Sequence, residues 1–193
     1  MKKTFTLLLV SLFLVAEKTN AQLERGNVIV GADLANISLG LNKGSFTTIS
    51  LTPKGMWLIK NNVAIGGYVN FGIVTAKDYA TYTTYGIGPL ARYYIVDENI
   101  NMLKHGNWFF EANAGFQGEN VEDGNSTNGL GLGFGPGYAY FITRNIALES
   151  LLKFDLAVGF GNTTTTSNLN LSLGFQIYLP GRGTVNEVQR NEQ

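Results

Sequence analysis

The chain has 193 residues, no cysteine, and 14 basic side chains against 14 acidic ones. Balanced charge excludes the basic face that a nucleic-acid binder needs, and the lack of cysteine excludes a disulfide scaffold, thiol chemistry and zinc–thiolate sites. Charged residues make up 15% of the chain, where an ordinary soluble domain carries roughly 25%. Glycine is abundant, at 24 residues, and the length suits one domain.

The first segment reads as a secretory signal peptide. Lys2 and Lys3 precede an apolar run from Thr4 to Ala16, and Thr19 and Ala21 are the small residues of a cleavage site before Gln22. The run is too short for a spanning helix, which takes about 20 residues. Removing 1–21 leaves 172 residues with a net charge of −2.

From residue 27 onward the dominant hydrophobic period is two, the signature of strands with one apolar face. In chain order the predicted strands are 27–41, 46–59, 63–75, 82–96, 108–118, 128–142, 146–158 and 168–179. The last is the clearest: Leu169, Leu171, Leu173, Phe175, Ile177 and Leu179 alternate with Asn168, Asn170, Ser172, Gly174, Gln176 and Tyr178. In the first, Val28, Val30, Ala32 and Leu34 share one parity and Ile37, Leu39 and Leu41 the other, which a β-bulge near Asn36 reconciles. Lys60-Asn61-Asn62 and Thr143-Arg144-Asn145 are tight turns, whereas 76–82, 118–127 and 159–167 are polar loops. The connection 97–107 is long for a turn position. No helical period appears, and 180–193 reads as a polar, disordered tail.

Three features decide which face points outward. The polar face carries seven charges across eight strands: Asp33, Lys54, Arg92, Glu111, Glu149, Lys153 and Asp155. That is too few for a wet surface, which is roughly 25–35% charged. The apolar face carries no charge and more bulk than an eight-stranded interior can hold. Trp57, Tyr93, Trp108, Phe110 and Tyr140 gather near the turn ends, as a membrane-interface girdle does. These features predict an all-β, eight-stranded antiparallel transmembrane β-barrel over 22–179, with a packed polar interior.

The segment Gly-Pro-Leu-Ala-Arg-Tyr-Tyr at 88–94, the strand count, the leader, and a last strand with Gly174, Ile177 and Leu179 together resemble the small eight-stranded outer-membrane β-barrels of Gram-negative bacteria, the OmpA/OmpX-like group of the porin family. Two departures stand out. The family's terminal signal usually ends on an aromatic residue at or near the C-terminus, whereas here Leu179 closes the strand and 14 residues follow. The resemblance implies outer-membrane lipid as the surroundings, handling by the barrel-insertion machinery after periplasmic transit, and a place in the cell envelope.

Little in the chain suggests chemistry. The glycine run 129–137 is strictly period two and lacks the Gly-x-Gly-x-x-Gly spacing. His105, the only histidine, falls in the connection 97–107 with no serine placed to use it as a base. No enzyme, cofactor or metal is expected. The seven inward charges are expected to form an ion-pair network that plugs the lumen, because unpaired charge there is very costly. A first hairpin turning near Lys43–Gly44 puts Asp33 opposite Lys54, and pairing of Ile95 with Trp108 brings Arg92 within a residue of Glu111. The expected role is structural, or a surface interaction made by the loops. A narrow porin for small solutes or ions is the first alternative, and a soluble, secreted lipocalin-like binder is the second.

Overall fold

In a computed structural model the residues 23–38, 47–75, 82–95, 106–121, 126–159 and 165–181 are described. The signal segment, His105, most of the tail and the first hairpin's turn lie outside them. Eight strands follow one another: β1 (Val28–Ser38), β2 (Thr47–Lys60), β3 (Val63–Thr75), β4 (Tyr82–Ile95), β5 (Gly106–Val121), β6 (Thr127–Phe141), β7 (Ile146–Gly159) and β8 (Thr165–Leu179). Each pairs antiparallel with the next, and β1 pairs with β8, which closes the barrel. The strands are 11–16 residues long, beyond the usual 5–6 and sufficient for tilted strands to cross a bilayer, which takes about 9–11 residues.

The faces sort as the alternation requires. Leu130, Leu132 and Phe134 on β6 and Leu169, Leu171 and Leu173 on β8 are exposed, while Gly129, Gly131, Gly133, Gly135 and Gly137 are buried. The five girdle aromatics all point outward: Trp57, Tyr93, Trp108, Phe110 and Tyr140. An apolar exterior on a closed barrel is the reverse of a soluble barrel, so the lipocalin-like alternative falls here. The fold is a transmembrane β-barrel, in which lipid meets the exterior and every interior strand edge is paired.

The glycines of β6 form a floor beneath the larger side chains of β5. A Cβ added at Gly137 would stand 2.5 Å from Phe109 Cε2, and one at Gly131 would stand 2.8 Å from Gln117 Cδ. Small residues on one strand thus make room for long ones on its neighbour, within a lumen just wide enough for side chains.

Four expectations need correction. The register of the first hairpin is two residues off: Lys54 pairs with Gly31, and Asp33 with Thr52. The β1 bulge falls at Leu34, between Asp33 and Ala35 in the pairing with β8, after which Ala35 pairs with Leu173 and Ile37 with Leu171. The interior is not polar throughout. Ile29, Met56, Leu58, Leu90, Phe109, Phe141 and Leu151 point inward and pack as an apolar layer toward the turn end. Finally, the outer face is not free of charge. A second irregularity, between Leu58 and Lys60, lets Lys60 pair with Val63. Ile59 and Lys60 therefore both lie outside, since direct partners share a face.

Leu173 is 46% exposed on the lipid face. Leu173→Arg should lower the unfolding free energy in bilayers by about 2–4 kcal/mol, the range for Arg near the midplane. Leu173→Val should leave it nearly unchanged. Denaturant titration of the two variants in lipid vesicles measures the difference.

Candidate functional site

The lumen charges assemble above the apolar layer. Arg92 on β4 and Glu111 on β5 are direct cross-strand partners. Arg92 Nη2 donates to Glu111 Oε2 at 2.6 Å, and Nε donates to the same oxygen at 3.1 Å. On its other side Arg92 Nη1 donates to Glu149 Oε1 across the lumen at 2.8 Å. Lys54 Nζ lies 2.7 Å from Glu111 Oε1 and 2.9 Å from Asp33 Oδ2. Asp33 and Lys54 thus meet diagonally across the strand pair, because a lysine stem spans the offset that the corrected register leaves.

The result is one chain of alternating sign: Asp33, Lys54, Glu111, Arg92, Glu149. All five side chains are nearly inaccessible, at 0–7%. Burial at this level is tolerated because each charge finds an opposite one and further hydrogen bonds. Two tyrosines complete the set. Arg92 Nη1 also donates to Tyr94 Oη at 3.1 Å, the Tyr94 and Tyr178 hydroxyls are 2.8 Å apart, and Tyr178 Oη donates to Glu149 Oε1 at 3.1 Å. The guanidinium rests on the face of Phe109, 3.9 Å from its centroid, a cation–π contact that joins the charged layer to the apolar one.

Lys153 and Asp155 stand apart from this chain. They share one face of β7 toward the loop end and pair at 3.2 Å with side chains 18% and 28% accessible. Asn170 Nδ2 donates to the second carboxylate oxygen, Asp155 Oδ2, at 2.7 Å. The seven predicted charges therefore form a dry chain of five and a wetter pair.

Tyr94, Tyr178 and Phe109 were not singled out in advance, although each lies on the inward parity. Gln176, on β8 opposite Gly31, was not either. Its side chain is fully buried, and neither its amide nitrogen nor its amide oxygen has a partner among the described residues.

No family model matches the chain, and no curated protein matches it. Solved structures do. The N-terminal β-barrel domain of Pseudomonas aeruginosa OprF matches with a TM-score of 0.55 at 12% identity, covering 80% of this chain and 98% of that one. Neisserial surface protein A matches with a TM-score of 0.56 at 18% identity, covering 78% and 94%. The fold is that of the small outer-membrane β-barrels. The likeness runs through the barrel and is one of fold.

Two expectations follow for the barrel's interior. Arg92→Met should lower stability by about 3–5 kcal/mol, because it leaves Glu149 without its cation in a dry lumen. Adding Glu149→Gln should recover much of that loss, since Glu111 keeps Lys54; urea unfolding of both variants in detergent gives the comparison. Gln176→Met should be neutral or stabilising by about 1 kcal/mol, because an unsatisfied buried amide is replaced by an apolar side chain of similar size. The unfolding midpoint of that variant is the check.

Proposed function

We propose that this chain is a non-conducting, non-enzymatic barrel of the bacterial outer membrane, secreted with cleavage of 1–21, whose role is structural or is carried by the loops it holds at the cell surface. One observation carries the reading. Two layers of buried side chains stack in the lumen: the charge chain centred on Arg92 and Glu111, and the apolar layer of Phe109, Phe141, Tyr94 and Tyr178 beneath it. Phe141 and Tyr178 rings lie 5.0 Å apart, and Tyr94 and Phe109 lie 5.9 Å apart, so aromatic contacts span the turn end of the lumen.

An ion crossing this region would have to part buried pairs and then traverse a layer without water-accessible polar groups. Both steps carry desolvation penalties of several kcal/mol per ion. The fold it shares with Neisserial surface protein A supports a surface setting. On this reading the strand ends Ile59–Val63 and Phe141–Ile146 face the periplasm, and the insertion machinery engages β8 through Gly174, Ile177 and Leu179. The opposite strand ends, after β1, β3, β5 and β7, face the cell exterior and carry the connections that would meet a ligand.

Planar-bilayer recording is the test. The purified barrel should show no current steps, whereas Phe109→Ala/Phe141→Ala, which removes the aromatic seal, should show discrete openings. Steady conductance of the unmodified protein would favour the narrow porin instead.

A further inference from the structure

The lipid face is uneven in a way the lumen does not explain. Two successive rows of outward positions across β2–β5 lose bulk as they pass from Trp57 and Ile65 to the small side chains of β4 and β5. One row runs Trp57, Ile65, Ala91, Ala112. The next runs Gly55, Gly67, Pro89, with Ala114 falling in line by the same register. The row below, Lys60, Val63, Tyr93 and Phe110, is bulky, and so is the row above, Val69, Ile87 and Phe116. Between them lies a shallow, open furrow of about 710 Å³ on the outer face, walled by Trp57, Ile65, Pro89, Ala91, Ala112 and Ala114.

We propose that this furrow binds one acyl chain of a phospholipid from the periplasmic leaflet, with the lipid phosphate held at Lys60. The inference rests on the membrane reading above.

Shape and direction support a chain entering from the turn end. The row that leaves Val28 on β1 climbs through Trp57, Ile65, Ala91, Ala112, Phe134 and Phe154 to Leu169 on β8, ten residues from Leu179, the direct partner of Val28. The furrow therefore rises from its low end at Trp57 toward mid-membrane at Ala112. Its walls offer no charge. Asn113, the polar residue among those that line it, is on the inward parity, beside Glu111 on the lumen face of β5. An apolar, unbranched occupant suits such walls, because a void there forfeits dispersion contacts that a flexible chain restores.

The low end is polar and basic. The irregularity at Ile59 turns Lys60 outward beside Val63, at the level of Tyr93 and Phe110. Arg25 is exposed at the same turn, and its backbone N–H donates to Asn61 Oδ1 at 3.0 Å. Glu24, half-buried, is the acid nearby in sequence. Trp57 is 62% exposed and can present an indole N–H to the headgroup level. Lys60, in the row directly below Trp57, and the Trp57 indole put a cation and a donor at the low end of an apolar furrow, which matches the phosphate and chain of a phospholipid. A second copy of the barrel fits less well: a stable contact takes about 800 Å² per partner, and the bulky flanking rows hold a convex neighbour off the furrow floor.

The test uses the barrel's tryptophans, of which the chain has two. Trp108→Phe leaves Trp57 as a single fluorophore at the furrow mouth. The full-length protein is reconstituted in phosphatidylcholine vesicles containing increasing fractions of phosphatidylglycerol brominated at mid-chain. Quenching of Trp57 should saturate at a low fraction. Filling the furrow with Ala91→Leu/Ala112→Leu should raise the half-saturating fraction roughly tenfold. Ala114→Leu, at the other end of the furrow, should do the same. Lys60→Gln should abolish the preference for brominated phosphatidylglycerol over brominated phosphatidylcholine. Quenching that rises in proportion to bulk lipid, identical in all variants, would overturn the proposal. A two-copy mass in native mass spectrometry, lost on filling the furrow, would assign it to a second barrel and overturn it as well. If brominated lipid quenches neither tryptophan of the unmodified protein, the membrane reading itself fails, a result distinct from loss of the site.

Discussion

A sheet placed in hydrocarbon cannot have a free edge, because no water is there to satisfy its outward N–H and C=O groups. Pairing of β1 with β8 meets that constraint here, and other features follow from it. Once closed on eight strands, the wall encloses a lumen that side chains alone can fill. Large residues are then driven outside and glycines inside, as β6 shows with five buried glycines in alternation. Two irregularities adjust the wall locally. One at Leu34 keeps β1 in step with β8 after the parity of its apolar residues changes, and one at Ile59 turns a lysine toward the membrane surface.

Inside the wall, charge and apolar bulk divide the length of the lumen. Five charges are placed where their strands bring opposite signs together, and the aromatic layer beneath keeps water from competing with them. The two layers depend on each other. Without Phe109 under its guanidinium, Arg92 would sit over a gap, and without the hydroxyl of Tyr178 the carboxylate of Glu149 would have one donor fewer. Toward the loop end the requirement relaxes, and the Lys153–Asp155 pair is partly accessible.

Strand number, strand order and face assignment were legible from alternation, because a period of two against lipid is enforced at every turn of the chain. The inward position of the charges was legible for the same reason, and the Arg92–Glu111 register followed from Ile95 facing Trp108. The first hairpin's register was not, since it depends on a turn whose length composition does not specify. The apolar layer was hidden for a different reason. Near the turn ends both faces are greasy, as in Trp57-Leu58-Ile59, Trp108-Phe109-Phe110 and Tyr140-Phe141-Ile142, so alternation vanishes where the plug begins. The outward Lys60 was hidden because a bulge changes parity without changing composition. The furrow was invisible because it is built from four strands at once, and its small residues Ala91, Ala112 and Ala114 look unremarkable alone.

The seam between β1 and β8 also has a kinetic consequence. Seven of the eight strand pairs join neighbours in sequence, and each can form soon after its own turn. The eighth joins Val28 to Leu179, at opposite ends of the barrel sequence, and its loop-closure entropy is met late. The internal contacts Lys54–Glu111, Arg92–Glu149 and Tyr94–Tyr178 likewise bridge distant parts of the chain, across separations of 57, 57 and 84 residues. They become dry when the seam shuts. Closure of the seam and desolvation of the ion pairs are therefore expected to coincide, so that opening the barrel undoes both together. Such a barrel resists unfolding by its rate as well as by its equilibrium, since contacts formed after the transition state are those that slow escape from the native state.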